Sequence, residues 1–297
     1  MALFGGKRAR DVVTLAVESS ELRFLTTKGQ RVEKWGNVHL PIGLVSEGLI
    51  GDAVEMGRII DELFEREELD RKQVITSLCG MRSIPRLLTL PKLQASLLKE
   101  AISREAKKEM PVALEDLYLS WQVMPAVGER QHVYLLGVPC DLVDAQVRAL
   151  EAANVRVFIM DLKPLALIRA VNKTEAIIAD LEQDMLDIIL VVDHLPAIMR
   201  TFSLGKEFLD DQGKLDRLLS ELDQTLRFYN DSHPKAQIRP STPVCVMGKV
   251  SSQRDAIDYL KSASNRPLER SMVPMPCPDD LPVPEYMANL GLALKKV

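Results

Sequence analysis

Residues 12–17, Val-Val-Thr-Leu-Ala-Val, form a β-prone run that Glu18-Ser19-Ser20 interrupts. The run resumes at Leu22-Arg-Phe-Leu25, and Lys28-Gly29 turns it into Arg31–Val38, which predicts a meander of three strands. The same pattern returns at Ala176–Ala179, with Asp180-Leu-Glu-Gln-Asp184 as the break, Leu186–Val192 as the second run, a turn at Asp193-His194, and Ala197–Phe202. Two such meanders about 160 residues apart predict a duplicated lobe.

The segments after each meander agree with a duplication. After the second, Leu215, Leu218, Leu219, Leu222 and Leu226 recur at helical spacing. Then come a short strand Val244–Met247, a helix from Ser252 to Ala263 with Ser252 as its cap, a strand near Glu269–Val273 and a closing helix from Pro284. That closing helix is expected to turn Met287, Leu290 and Leu294 inward. After the first, a helix over Asp52–Leu69 carries Met56, Ile59, Ile60, Leu63 and Phe64 on one face, and the half ends on strand Val155–Met160 and helix Pro164–Asn172. Between lie strands Gln73–Cys79 and Ile84–Leu90, a helix striped by Leu93, Leu97, Leu98, Ala101, Ile102 and Ala106, strands near Leu117–Val123 and Val133–Val138, and a helix over Asp141–Ala153. These read as an inserted α+β subdomain over residues 72–153; periodicity leaves open whether 131–153 belong to the insert or to the first lobe.

The chain has 297 residues, enough for two lobes, and its 46% hydrophobic and 27% charged residues are those of a packed globular protein. Lys and Arg total 38 against 42 Asp and Glu, a net charge of -4, which gives no electrostatic reason to expect nucleic acid. Cys79, Cys140, Cys245 and Cys277 are spaced 61, 105 and 32 residues apart, unlike a disulfide scaffold or a paired zinc site, so a reduced cytosolic setting is expected. His39, His132, His194 and His233 are scattered, and no metal site is expected. No signal-like apolar run follows the basic start, and the longest wholly apolar stretch, Ile188–Val192, is far too short to cross a bilayer; membrane association would run through a partner.

A βββαβαβα unit used twice is the duplicated ribonuclease-H-like arrangement of actin-like proteins, and finer motifs narrow the match. The chain opens with Met1–Lys7 and continues into Leu15-Ala-Val-Glu-Ser-Ser-Glu-Leu-Arg23. Leu40-Pro-Ile-Gly-Leu-Val-Ser-Glu-Gly-Leu-Ile50 comes after it, then Arg86-Leu-Leu-Thr-Leu-Pro91, Glu105-Ala106, Pro111 and Glu115-Asp116. Asp161, Pro164 and Ala166-Leu-Ile-Arg-Ala170 come next, and Gly291-Leu-Ala-Leu294 closes the chain. In this order, over nearly the whole chain, these motifs resemble the PilM family of type IV pilus assembly, which is related to the division protein FtsA. The resemblance implies an actin-like α/β fold: a first lobe over 1–71 with 154–173, an inserted subdomain of the type called 1C over 72–153, a second lobe over 174–284, and a C-terminal helix over 285–297 that returns to the first lobe.

Nucleotide binding in that superfamily uses two Asp-x-Gly hairpins, the Asp organising the metal and the Gly letting backbone amides reach phosphate. Here Ala16 and Glu18 stand at those positions in the first hairpin, and Asp180 and Glu182 in the second. The adenosine-side Gly-Gly turn is Met247-Gly248-Lys249, half retained. Ser19, Ser20, Asp180 and Gly248 are the remaining candidates for a degenerate nucleotide pocket; the plain alternative for Asp180 is a turn residue. Only Lys206–Lys214 separates the second meander from the Leu215 helix, so the helical subdomain that covers the base in relatives is expected to be reduced or absent. No Gly-x-Ser-x-Gly elbow or Walker A loop occurs, and Met272–Pro284 reads as a proline-rich connector.

Ala16, Glu18, Glu182 and the short link point to a non-catalytic scaffold without cofactor, with ATP and magnesium as the alternative, and the resemblance implies a place in the bacterial cytoplasm against the inner membrane. Its implied partner is the cytoplasmic N-terminal peptide of a PilN-like single-pass protein, with other pilus assembly components and no nucleic acid. The candidate partner-binding strand carries Ile84, Pro85, Arg86, Leu87 and Leu88, whose exposed edge would accept backbone hydrogen bonds. The competing expectation is an FtsA-like protein that binds and hydrolyses ATP or polymerises; a related secretion system is a further alternative to the pilus.

Overall fold

The computed structural model describes residues 11–125, 128–204, 210–250, 253–270 and 272–295. The Met1–Lys7 motif and the Ser252 cap lie outside them, as do 206–209. The chain divides into two compact units, Met1–Met81 with Arg148–Val297, and Arg82–Val147.

In the larger unit, β1 (Val12–Val17), β2 (Glu21–Lys28) and β3 (Arg31–His39) form the first meander, followed by the two-residue strands β4 (Val45–Ser46) and β5 (Leu49–Ile50). Helix α1 (Ala53–Arg66) starts where the Asp52 side chain accepts from the amides of Val54 and Glu55. Strand β6 (Val74–Leu78) completes this stretch before the chain enters the smaller unit.

The smaller unit holds β7 (Ile84–Pro91), α2 (Ala95–Glu109), β8 (Leu117–Val123) and β9 (Arg130–Pro139). Its sheet has the order β7-β9-β8, and Leu88, Leu90, Leu117, Val133 and Leu135 pack with Ile102 and Ala106 of α2. Helix α3 (Cys140–Ala152) straddles the division of the chain. Its C-terminal turn packs on α1, where a Cβ at Gly57 would come within 2.6 Å of Ala152 Cβ.

The chain then runs through β10 (Val157–Leu162), α4 (Lys163–Val171), and the second meander of β11 (Ala176–Leu181), β12 (Met185–Val192) and β13 (Leu195–Ser203). After it come α5 (Asp211–Ser232), β14 (Val244–Met247), α6 (Arg254–Ala263), β15 (Leu268–Arg270) and α7 (Met287–Ala293). The two sheets are β10-β6-β1-β2-β3 and β15-β14-β11-β12-β13, one topology used twice. Adding 164 to each residue number of the first meander gives its counterpart in the second: Val12–Val17 becomes Ala176–Leu181, Glu21–Lys28 becomes Met185–Val192, and Arg31–His39 becomes Leu195–Ser203. Even the β-bulge recurs, between Thr26 and Thr27 and between Leu190 and Val191.

One boundary differs from the sequence reading. The insert was expected from residue 72, but β6 lies in the first lobe's sheet, pairing in parallel with β1 and β10. All five of its residues are buried, as in a strand covered on both faces, and a short β-prone run carries no mark of which sheet it joins. Strand β9 sits in the smaller unit's sheet.

Chain return to the first lobe explains two of the motifs. A Cβ at Gly291 would lie 1.9 Å from Ala166 O, and Arg169 Nη1 donates to Gly291 O at 2.6 Å, so α4 and α7 touch backbone to backbone. Met287, Leu290 and Leu292 are buried and Leu294 is half-buried. The proline-rich connector covers the β3 edge, with Val32 N donating to Pro276 O. In Leu40–Ile50, Glu47 and Gly48 take φ of 52° and 80° in the β4–β5 turn, and a Cβ at Gly48 would strike Cys79.

Candidate functional site

The break after β1 and the break after β11 are the two hairpins that face each other between the lobes. Each is closed the same way: Glu18 N donates to Glu21 O, and Glu182 N to Met185 O. Leu40 N donates to Ser20 O and Leu204 N to Asp184 O, again 164 residues apart. Glu18 and Glu182 are thus structural equivalents, and both are buried.

Burial obliges such carboxylates to find cations. Lys163, the first residue of α4, places Nζ 2.9 Å from Glu18 Oε2, 2.8 Å from Asp180 Oδ2 and 3.5 Å from Asp187 Oδ2. Arg23 of β2 forks onto Glu182, Nη1 to Oε1 and Nη2 to Oε2 at 2.7 Å each, and its Nε donates to Glu21 Oε1 at 2.7 Å. It also donates through Nη1 to the backbone O of Glu285 at 2.6 Å. Lys249 Nζ and Asn37 Nδ2 both reach Glu21 Oε2 at 3.0 Å. Position 23 plus 164 is 187, so the cross-lobe links form a near-symmetric pair. Arg23 of the first lobe clamps Glu182 of the second, and Asp187 of the second is tied to Glu18 of the first through Lys163.

The residues singled out from sequence are drawn into this cluster in different ways. Ser19 donates its hydroxyl to Asp184 Oδ1 across the lobes, while Ser20 contributes its carbonyl to Leu40. Asp180 is held by Lys163. Gly248 has φ of 92°, a Cβ there would lie 2.5 Å from Leu181 O, and its amide donates to Pro284 O at 2.9 Å. Ala16 is a buried strand residue paired with Arg23. The cavity left between the hairpins, lined among others by Glu18, Ser19, Lys163 and Asp187, measures about 10 Å³, the space of one water.

Three carboxylates around one ammonium shift the protonation of the group. Burial pushes Glu18 up to about 8 against the pull of Lys163, and Asp180 up to about 6 for the same reason. Burial also acts upward on Glu182, but the hydrogen bonds and charge of Arg23 outweigh it and hold Glu182 below the ordinary carboxylate value. Lys163 loses hydration by burial, yet Asp180, Glu18 and Asp187 raise it well above an ordinary lysine. Sequence reasoning missed Arg23, Lys163, Asp187 and Lys249. The available signal was the pair of glutamates at equivalent hairpin positions, which had to be neutralised by something once buried.

In the smaller unit, Ile84, Pro85, Arg86, Leu87 and Leu88 all lie on β7, an edge strand paired on one side with β9. Pro85 and Pro91 fit only such an edge. Leu88 faces α2 and is buried, Ile84 packs partly against the same cluster, and Leu87 is exposed. Arg86 Nε donates to Glu109 O at 3.1 Å, so its guanidinium closes the C-terminus of α2.

A family model for the type IV pilus assembly protein PilM matches residues 10–204. The chain belongs to the PilM family. No curated protein matches it. Among solved structures, this PilM-family chain is similar to that of a PilM–PilN type IV pilus biogenesis complex, at 20% identity and a TM-score of 0.79 over 96% of this chain and 98% of the other. The cytoplasmic domain of EpsL, an inner-membrane component of the Vibrio cholerae type II secretion system, matches at 12% identity and TM-score 0.54, over 97% of each chain. MreB5 of Spiroplasma citri bound to AMPPNP matches at 9% identity and TM-score 0.52, over 95% of this chain and 94% of that one. These likenesses establish the actin-like fold. In this PilM-family chain the link between β13 and α5 is only residues 204–210, too short for a helical subdomain.

Proposed function

We propose that this chain is a non-catalytic scaffold of type IV pilus assembly that binds the cytoplasmic tail of a PilN-like inner-membrane protein and thereby lies peripheral to the inner membrane. The observation that carries the non-catalytic part is the ion pairing that fills the space between the two hairpins, Lys163 to Glu18 and Asp180 and Arg23 to Glu182, beside a cavity of only about 10 Å³. Phosphates there would have to displace those ion pairs and then face Glu18 and Glu182. The partner part is supported by the family membership, the PilM–PilN relative and the edge position of β7, where Leu87 is exposed. No helix among the described residues is long and apolar enough to cross a membrane.

Calorimetric titration with magnesium and ATP tests the first part; no binding is expected, and a dissociation constant on the order of micromolar would overturn it in favour of an ATP-driven protein. For the second, Leu87→Arg is the better probe, because Arg86 already serves α2. Capture of a synthetic PilN-like tail peptide should be lost in Leu87→Arg while the circular dichroism spectrum stays unchanged; equal capture by both chains would remove β7 as the site.

A further inference from the structure

Strand β8 is the other edge of the smaller unit's sheet. Its residues, Leu117-Tyr-Leu-Ser-Trp-Gln-Val123, include no Asp, Glu, Lys, Arg or Pro. Three other edges carry guards: β7 has Pro85, Arg86 and Pro91, β13 has Pro196 and Arg200, and β3 is met by Pro276 of the connector. On β8, by contrast, Tyr118 is 51% exposed and Trp121 37%.

The ladder sets which backbone groups look outward. Met124 N donates to His132 O, extending the β8–β9 register of Val123 with Val133, so Gln122, Ser120 and Tyr118 share the hydrogen-bonded positions against β9. The N–H and C=O groups of Leu119, Trp121 and Val123 therefore point along the open edge, with the C=O of Leu117; the Leu117 amide is taken by Leu114 O. The α2 side of the same strand carries Leu117, Leu119, Trp121 and Val123, the opposite side Tyr118, Ser120 and Gln122.

This sequence is complementary to itself. Set antiparallel to a copy about Ser120, it places Leu119 opposite Trp121, Leu117 opposite Val123 and Tyr118 opposite Gln122, with about six backbone hydrogen bonds available. Every apolar residue meets an apolar one on the α2 side. Asp116 and Glu115 fall opposite Met124 and Pro125, so no like charges meet. We propose that β8 pairs with β8 of a second copy of this chain, forming a six-stranded sheet from two smaller units, with Trp121 of each copy covering the half-buried Leu119 of the other and Val123 of each meeting Leu117 of the other. The occupant is a second copy because an unrelated strand would find no charge on β8 to recognise, whereas this one finds its own apolar order reversed. A contact of this size makes a weak dimer that forms with rising concentration.

Sedimentation velocity of the full chain tests it. The parent is expected to pass from monomer to dimer within the micromolar range, and Trp121→Lys to weaken that association on the order of 30-fold. Register is read separately by cysteines. Ser120 would face its own copy at a non-hydrogen-bonded position, with Cα atoms about 4.5 Å apart, within disulfide reach. Ser120→Cys should therefore cross-link under mild oxidation, and Gln122→Cys should remain at the background set by the parent's own cysteines. A parent that stays monomeric to roughly 500 µM overturns the proposal. So does a dimer indifferent to Trp121→Lys, or one in which Ser120→Cys cross-links no faster than Gln122→Cys.

Discussion

Lys163 is the residue on which the inter-lobe cluster turns, since one ammonium serves Glu18, Asp180 and Asp187. Removing one partner of a buried ion pair leaves the other charged and dry. Lys163→Met is therefore expected to destabilise the chain by about 3–5 kcal/mol, measured by urea unfolding. A change near zero would mean that Asp180 and Asp187 are neutral or hydrated. Glu18 gives the pH dependence. Its folded-state pKa of about 8 lies above the ordinary 4.5, so the folded chain holds a proton that the unfolded chain releases. That stability is fully present below about pH 4.5 and is lost as pH rises through about 8; Asp180 acts in the same direction through about 6, and Glu182, depressed by Arg23, acts oppositely in acid. Glu18→Gln, which keeps the neutral form at every pH, should flatten the fall in melting temperature between about pH 6 and 9. A parallel fall in wild type and variant would refute the assignment to Glu18.

Among the elements, the crossing of α4 and α7 depends most on a single small residue. Gly291→Ala forces a methyl group against Ala166 O, and the helices must separate; about 3 kcal/mol is expected to be lost in thermal or urea unfolding. Gly43→Ala is the contrast. Gly43 has φ of 83° but nothing within reach of a Cβ, so the cost should be only the backbone strain of about 1 kcal/mol. Equal losses at both positions would show that helix contact is not what Gly291 provides. At this scale the sequence was readable: each meander's strands and turns, and the apolar face of α1, come from alternation, breaks and spacing. The strand β6 was found, but its sheet was misassigned, because a short β-prone run announces a strand and not its neighbours.

Across the whole larger unit, the two lobes are joined through the equivalent hairpins that follow β1 and β11. Arg23–Glu182 and Glu18–Lys163–Asp187 run in both directions between equivalent hairpins, so loosening one clamp should loosen both hairpins. In Arg23→Met, deuterium uptake is expected to rise together at residues 17–21 and 181–185. A rise confined to one hairpin would show that the lobes are not coupled through this cluster. The duplication and the order of elements were legible in the chain before folding, because they are carried by local periodicity and by breaks at fixed offsets. Which charges pair between the two hairpins became visible only in three dimensions. Arg23 and Glu182 stand 159 positions apart, and Lys163 and Glu18 stand 145 apart; nothing in local pattern couples residues so distant, and it is burial of opposite charges in one dry space that makes them partners.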